Sequence, residues 1–277
     1  IWVSDPTWAN HKPLIGSSGL KFNSYPYYDY ETHSVDFDNM IARLKSVPKG
    51  DVVLLHGCCH NPSGADIKPD QWRVIRDLAL KQNFTIFIDL AYQGMGDGLE
   101  EDVIGVRLLA ESLPELIVVS SCSKNFGLYR ERTGAVTLIC QNDHAARTAS
   151  TLLAAAARAN YSMPPDHGAA IVQLIREDPD LNSSWQEELK GIRDRINLLR
   201  VTFANRLTEL TAQHDFSFIP KEKGMFSFLG VNKNQIHELI NEYAIYLVDS
   251  SRINVASIND SNIDYVTESI TKVISRT

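Results

Sequence analysis

Lys124 stands in the stretch VVSSCSKNFGLYRERTG, behind an apolar run of Leu116, Ile117, Val118 and Val119 and a serine-rich exit. Arg130 and Arg132 follow it. Strand ends in mixed α/β proteins are where sites gather. A lysine held near other cations gives up its proton more easily, and its neutral amine forms a Schiff base with an aldehyde. Taken alone, a lysine beside a strand end is most often a solvated charge. Arg132 is close enough in sequence to share the site and hold a phosphate.

Other residues carry chemistry of their own. In TIFIDLAYQG, Asp89 ends an apolar strand pattern, and Tyr92 puts a phenol on the same exit. A carboxylate there is either a turn or cap residue or a fixed anion facing a cationic ring nitrogen. In HGCCHNPSG, Asn61 offers an amide where Pro62 and Gly64 shape a turn. His56, Cys58 and His60 raise zinc, but no fourth ligand follows at a known spacing. Strand alternation would point Cys58 and Cys59 opposite ways, so buried apolar cysteines are the better reading and no metal is expected. Arg252 lies within the apolar pattern VDSSRINVAS, where an arginine wants a carboxylate or phosphate partner. Arg158, ending an alanine-rich segment, is a surface residue by default.

A Schiff-base lysine, a fixed anion, a phenol, an amide and a phosphate-binding arginine suit one cofactor, pyridoxal 5′-phosphate. Its chemistry asks for a lysine and for a carboxylate on the pyridine nitrogen.

The elements that must position these groups alternate. Val52–Leu55, TIFIDL, ELIVVSS and TGAVTLIC read as strands, and Asp70–Lys81 has helical spacing. That alternation predicts an α/β fold with a mostly parallel central sheet flanked by helices. NDHAARTASTLLAAAARANYSMPP reads as a helix capped by Asn142 or Asp143. Trp185, Leu189, Ile192, Ile196, Leu199, Phe203, Leu207 and Leu210 mark a long helix near 183–211, with Ser184 and Glu187 at capping-box spacing. The expected organisation is a large cofactor-binding domain over 1–190 and a smaller C-terminal α+β domain over 191–277, joined by that helix.

The chain has 277 residues, 44% hydrophobic and 22% charged, with a net charge of −7. This is ordinary soluble-protein composition, and the acidic balance argues against nucleic-acid or anionic-membrane binding. No apolar stretch approaches the roughly 20 residues that cross a bilayer. Four cysteines do not make a disulfide framework in a chain this long, so a reducing cytoplasm is the expected location. The chain opens on the strand pattern IWVSD without an initiator methionine, and further sequence ahead of it is expected.

SDPTWANH, HGCCHNPSGAD, FIDLAYQG, SKNFGLYRERTG, RANYSMPP and GMFSFLG, in this order, closely resemble the class I aminotransferases, nearest the aspartate and aromatic-amino-acid branch. The resemblance covers essentially the whole chain and implies the fold type I of that family. It implies that Lys124 carries pyridoxal 5′-phosphate and moves the substrate's Cα proton, that Asp89 pairs with the ring nitrogen, and that Tyr92 and Asn61 bond the ring's phenolic oxygen. Trp8 would stack on the ring, with His11 behind Asp89, and Ser121 and Arg132 would bind the phosphate. Arg252 would grip the substrate's α-carboxylate, with Asn61 and Trp8 beside it. Arg158 would reach a partner's site and grip a side-chain carboxylate. The resemblance further implies a homodimer with shared sites, acting on amino acids and 2-oxo acids in a ping-pong cycle. It also implies a preceding segment with a dimer arm, a small-residue phosphate cradle and a donated tyrosine. Cys122, Ser251 and Ser63 depart from the family's usual aromatic, glycine and threonine. Besides aspartate transamination, aromatic transamination as the main activity and a non-catalytic, cofactor-sensing domain remain alternatives.

Overall fold

A computed structural model describes residues 1–211 and 214–276. Its main sheet has six strands: β1 Trp2–Asp5, β2 Asn23–Pro26, β5 Val52–His56, β6 Thr85–Leu90, β7 Leu116–Ser121 and β8 Gly134–Ile139, in the order β2-β1-β5-β6-β7-β8. A separate short hairpin joins β3 Tyr28–Asp29 to β4 Ser34–Val35. All pairings in the main sheet are parallel except β7 with β8. The sheet is therefore mostly parallel, with one antiparallel edge strand that apolar periodicity could not orient.

The central strands read as near-continuous apolar runs because helices cover both faces. Ile86 and Ile88 are fully buried in β6, and such side chains contribute about 1.5–3 kcal/mol each by leaving water. The helices are α1 His11–Ser17, α2 Phe37–Leu44, α3 Pro69–Gln82, α4 Ile104–Ser112, α5 Asp143–Asn160, α6 His167–Glu177, α7 Pro179–Leu210, α8 Lys233–Tyr243 and α9 Ile263–Ile274. Pro69 opens α3 and Asn83 closes it in the left-handed conformation, with φ of 56°. In α5, Asn142 is the cap, accepting from the Ala145 amide at 2.9 Å.

The expected capping box at Ser184 and Glu187 is not formed. The Asp178 carboxylate caps α7 instead, accepting from the amides of Asp180 and Leu181, and Pro179 occupies the first turn. An aspartate followed by proline is the stronger start, so Ser184 lies inside the helix.

Two apolar clusters flank α7. A small antiparallel pair joins β9 Phe226–Phe228 to β10 Arg252–Asn254; Leu189 and Ile196 pack with the large sheet's core and with Phe228 of β9, while Leu199, Phe203 and Leu207 pack with α8, α9 and Ile253 of β10. Only the three β10 residues of VDSSRINVAS pair as a strand, because Ser251 takes a left-handed φ of 65° and breaks the run. Such a conformation favours glycine, which explains why a serine is the unusual residue there.

Candidate active site

The polar residues converge at the carboxyl ends of β1, β5, β6 and β7. The parallel register sets His56 beside Asp89 and Asp89 beside Val119. Crevices at such strand ends are where open α/β sheets bind ligands.

Asp89 accepts a hydrogen bond on Oδ2 from His11 Nε2 at 3.1 Å. His11 is placed by α1, directly after β1, and its ring meets Trp8 edge-on at 5.2 Å. Thr7 Oγ1 links His11 Nδ1 at 2.8 Å to His56 Nε2 at 3.3 Å. Burial alone would raise the Asp89 carboxyl, but the His11 bond and the charges of His56, His11 and Lys124 outweigh it and hold the group below the ordinary range. Burial pushes His56 down to about 4, so it is neutral at pH 7. His60, bonded to Ser4 and Ser63 and stacked on Tyr27, is pushed well below the ordinary histidine value by burial.

On the other side of Asp89, Lys124 sits in the turn after β7, with Nζ 4.6 Å from the Tyr92 ring centre. Burial lowers its amine; Asp89 opposes this and Arg132 adds to it. Burial pushes the Tyr92 phenol up to about 12, which keeps it protonated at neutral pH. Asn61 Nδ2 donates to the Tyr92 hydroxyl at 3.4 Å, and Asn61 Oδ1 accepts from Arg252 Nη1 at 3.2 Å. The Arg252 guanidinium lies 4.5 Å from the Phe226 ring centre. A cation from the C-terminal part thus connects through one amide to the phenol beside Lys124.

Ser121 ends β7 opposite Gly134 of β8, and the Cys122 amide donates to the Thr133 carbonyl at 3.0 Å. This hairpin brings Arg132 back to the Lys124 end. Arg132 is exposed and left-handed, and its Nη1 donates to the Tyr129 carbonyl at 3.0 Å. Ser121 Oγ accepts from the Ser123 amide at 3.1 Å. Trp8 is 39% exposed, leaving a ring surface open to solvent. Arg158 lies apart, exposed on α5, a helix with no buried residue.

Cys58 and Cys59 are both buried, as expected, but their side chains do not point opposite ways. Cys58 and Cys59 sulfurs approach within 4.8 Å of one another and of Asp102, because Cys59 is left-handed with φ of 50° and strand alternation has ended. Asp102 accepts from the amides of Gly94, Gly96, Asp97 and Gly98, so its oxygens are already engaged. His56, Cys58 and His60 do not form a ligand group among the described residues.

The donor set fits an aldehyde-bearing pyridine phosphate. It offers one partly desolvated amine, an anion kept ionised, a protonated phenol with an amide, an open aromatic face and a cation at the hairpin mouth. Two contributors were not singled out by residue type: Thr7, which ties His11 to His56, and Phe226, which underlies Arg252. Both lie within motifs quoted above, Thr7 in SDPTWANH and Phe226 in GMFSFLG, but a turn threonine and a strand phenylalanine carry no chemical signal of their own.

The family described as aminotransferase class I and II matches residues 1–270. The chain is 45% identical to an aspartate aminotransferase of Haemophilus influenzae over 99% of its own length and 69% of that protein's. It is 44% identical to an aromatic-amino-acid aminotransferase of Paracoccus denitrificans, again over 99% and 69%. The solved aromatic-amino-acid aminotransferase of Burkholderia pseudomallei, covalently bound to pyridoxal phosphate, superposes with a TM-score of 0.96 at 42% identity, covering 98% of this chain and 68% of that one.

Proposed function

The chain belongs to the class I and II aminotransferases, and from that membership we propose that it moves the amino group of aspartate to 2-oxoglutarate in two half-reactions, using pyridoxal 5′-phosphate carried on Lys124. When bound, that group supplies an aldehyde to take up the amine and a ring that withdraws electrons from Cα.

The chain's own residues do the rest. Lys124 Nζ, with its amine lowered by burial, moves the proton at the substrate's Cα. Asp89, kept ionised through His11, holds a proton on the ring nitrogen. Tyr92 and Asn61 donate to the ring's phenolic oxygen, Trp8 covers a ring face, and Ser121 with Arg132 takes the phosphate. Arg252 grips the α-carboxylate through a guanidinium fork matched to two oxygens.

Arg158 would serve a second copy of the chain, gripping the side-chain carboxylate there. Support comes from α5, which buries none of its residues and leaves Leu152 65% and Leu153 41% exposed. Such a face suits a homodimer with shared sites.

The observation that carries this reading is the connection Arg252–Asn61–Tyr92, ending beside Lys124. It sets a carboxylate-binding cation within reach of the amine. The relatives include aromatic-amino-acid aminotransferases at similar identity, so an enzyme acting mainly on aromatic amino acids is the second reading. Turnover on aspartate and on phenylalanine decides between them. An absorption spectrum taken before and after adding aspartate tests the cofactor: no turnover of either amino acid with cofactor bound would sink both readings and leave a sensing role.

A further inference from the structure

Arg200, on α7, is one of the most deeply buried side chains, at 1% exposure. A buried guanidinium ordinarily answers a carboxylate. Arg200 does so only loosely, with Nη1 3.6 Å from Glu222. Most of its N–H groups go to the backbone of one strap. Nε and Nη2 donate to the Gly224 carbonyl at 3.2 and 2.8 Å, and Nη2 also donates to the carbonyls of Lys223 and Phe226. Nη1 donates to the Ile219 carbonyl at 3.0 Å and to Ser227 Oγ at 2.8 Å. A fork that fills itself with carbonyls fixes the path of a chain segment.

That strap underlies both contacts of Arg252. Phe226, whose carbonyl Arg200 holds, lies beneath the Arg252 guanidinium. The strap also meets the loop bearing Asn61: the Lys223 amide donates to the Gly64 carbonyl at 2.8 Å. At Gly64, with φ of 75°, a Cβ would come within 2.4 Å of the Phe226 carbonyl oxygen. Strap and loop are therefore in backbone contact, with no room for a side chain between them. Glu222 closes the network, accepting from Ser227 Oγ and from the Tyr28 hydroxyl of the large sheet's side at 3.3 Å.

We propose that Arg200 is a positioning residue: by gripping the 219–227 strap it holds Phe226 and the Asn61 loop where they aim Arg252 at the substrate's α-carboxylate. This rests on Arg252 being the carboxylate grip. A lysine at 200 would keep the charge near Glu222 but reach fewer carbonyls, because it donates from a single point.

The test is Arg200→Lys in the protein loaded with pyridoxal 5′-phosphate. KM for both aspartate and 2-oxoglutarate is expected to rise about tenfold with kcat within about twofold, the pattern of lost uniform binding. The dissociation constant of succinate, a dicarboxylate that carries no amino or oxo group, is expected to weaken about tenfold by calorimetry. A fall in kcat at unchanged KM, or a lower melting temperature with KM and succinate affinity unchanged, overturns the proposal. Arg252→Ala is measured in parallel. If it leaves KM and succinate affinity unchanged, the reading of Arg252 falls; if it raises KM and weakens succinate binding while Arg200→Lys does neither, only the positioning role falls. Should Arg200→Lys fail to fold, Ser227→Ala removes one acceptor of Nη1, and the same outcomes decide at about a threefold change.

Discussion

The Arg252 guanidinium donates to the Asn61 side-chain oxygen at 3.2 Å, across 191 residues of sequence. The same amide donates to Tyr92. Losing it leaves Arg252 with one partner fewer and the phenol without a donor. Asn61→Ala is expected to lower kcat/KM about tenfold, the effect of a charge-assisted hydrogen bond worth about 1.5 kcal/mol. Steady-state kinetics with aspartate checks it, and an unchanged kcat/KM would show that the link is idle.

Lys124 should be the residue that captures an aldehyde. Borohydride reduction after adding pyridoxal phosphate, followed by peptide mass spectrometry, is expected to place the label on Lys124. Burial lowers its amine below the ordinary lysine value, so labelling should reach half its maximum at a lower pH than labelling of lysine in a short unstructured peptide. Lys124→Ala should abolish transamination even where cofactor stays bound. Residual turnover of that variant would assign the Cα proton to another base.

The buried histidines predict an acid limb to stability. His56 is held neutral, with its folded value pushed from 6.5 down to about 4. A depressed folded value means the stabilisation is complete above pH 6.5 and is lost as pH falls towards 4. The loss is at most about 3 kcal/mol. Asp89, also lowered, gives up its own contribution only further down, below the ordinary carboxylate value. Melting temperatures from pH 8 to pH 4 should fall for the unsubstituted protein and fall less for His56→Asn. Parallel curves would remove His56 from the account.

Arg158 separates the two substrate readings. If it grips a side-chain carboxylate across a dimer, Arg158→Ala should cut kcat/KM for aspartate about 100-fold, a charge-assisted pair being worth about 3 kcal/mol. Phenylalanine turnover should stay within a few-fold. Equal losses on both substrates would give Arg158 a role other than carboxylate selection.

Much of the site was legible because its members sit at polar exits of apolar runs. Asp89 is the penultimate residue of β6 and Lys124 follows β7, and a charge at such a place stands out against the buried strand before it. Apolar runs do not report strand direction, which is why β8 reads like its parallel neighbours although it runs against them. Backbone handedness is equally silent. Cys59 and Ser251 are ordinary residues by composition, yet their positive φ turns a sulfur inward and cuts a strand short. Arg200 is the same lesson at the level of packing. Helical spacing marks the apolar stripe of α7 but says nothing of an arginine whose partners are carbonyls. The α7 start shows local rules competing: two caps were available, and the proline beside Asp178 decided between them.

The site draws Thr7 and Trp8 from behind β1, Asn61 from behind β5, Asp89 from β6, Lys124 from behind β7 and Arg252 from β10. The burial that lowers the Lys124 amine belongs to the folded chain, since in an unfolded chain the same amine is surrounded by water. Its readiness to take up an aldehyde near neutral pH is therefore acquired on folding, and the pH at which it captures the cofactor reports how well the turn after β7 is packed.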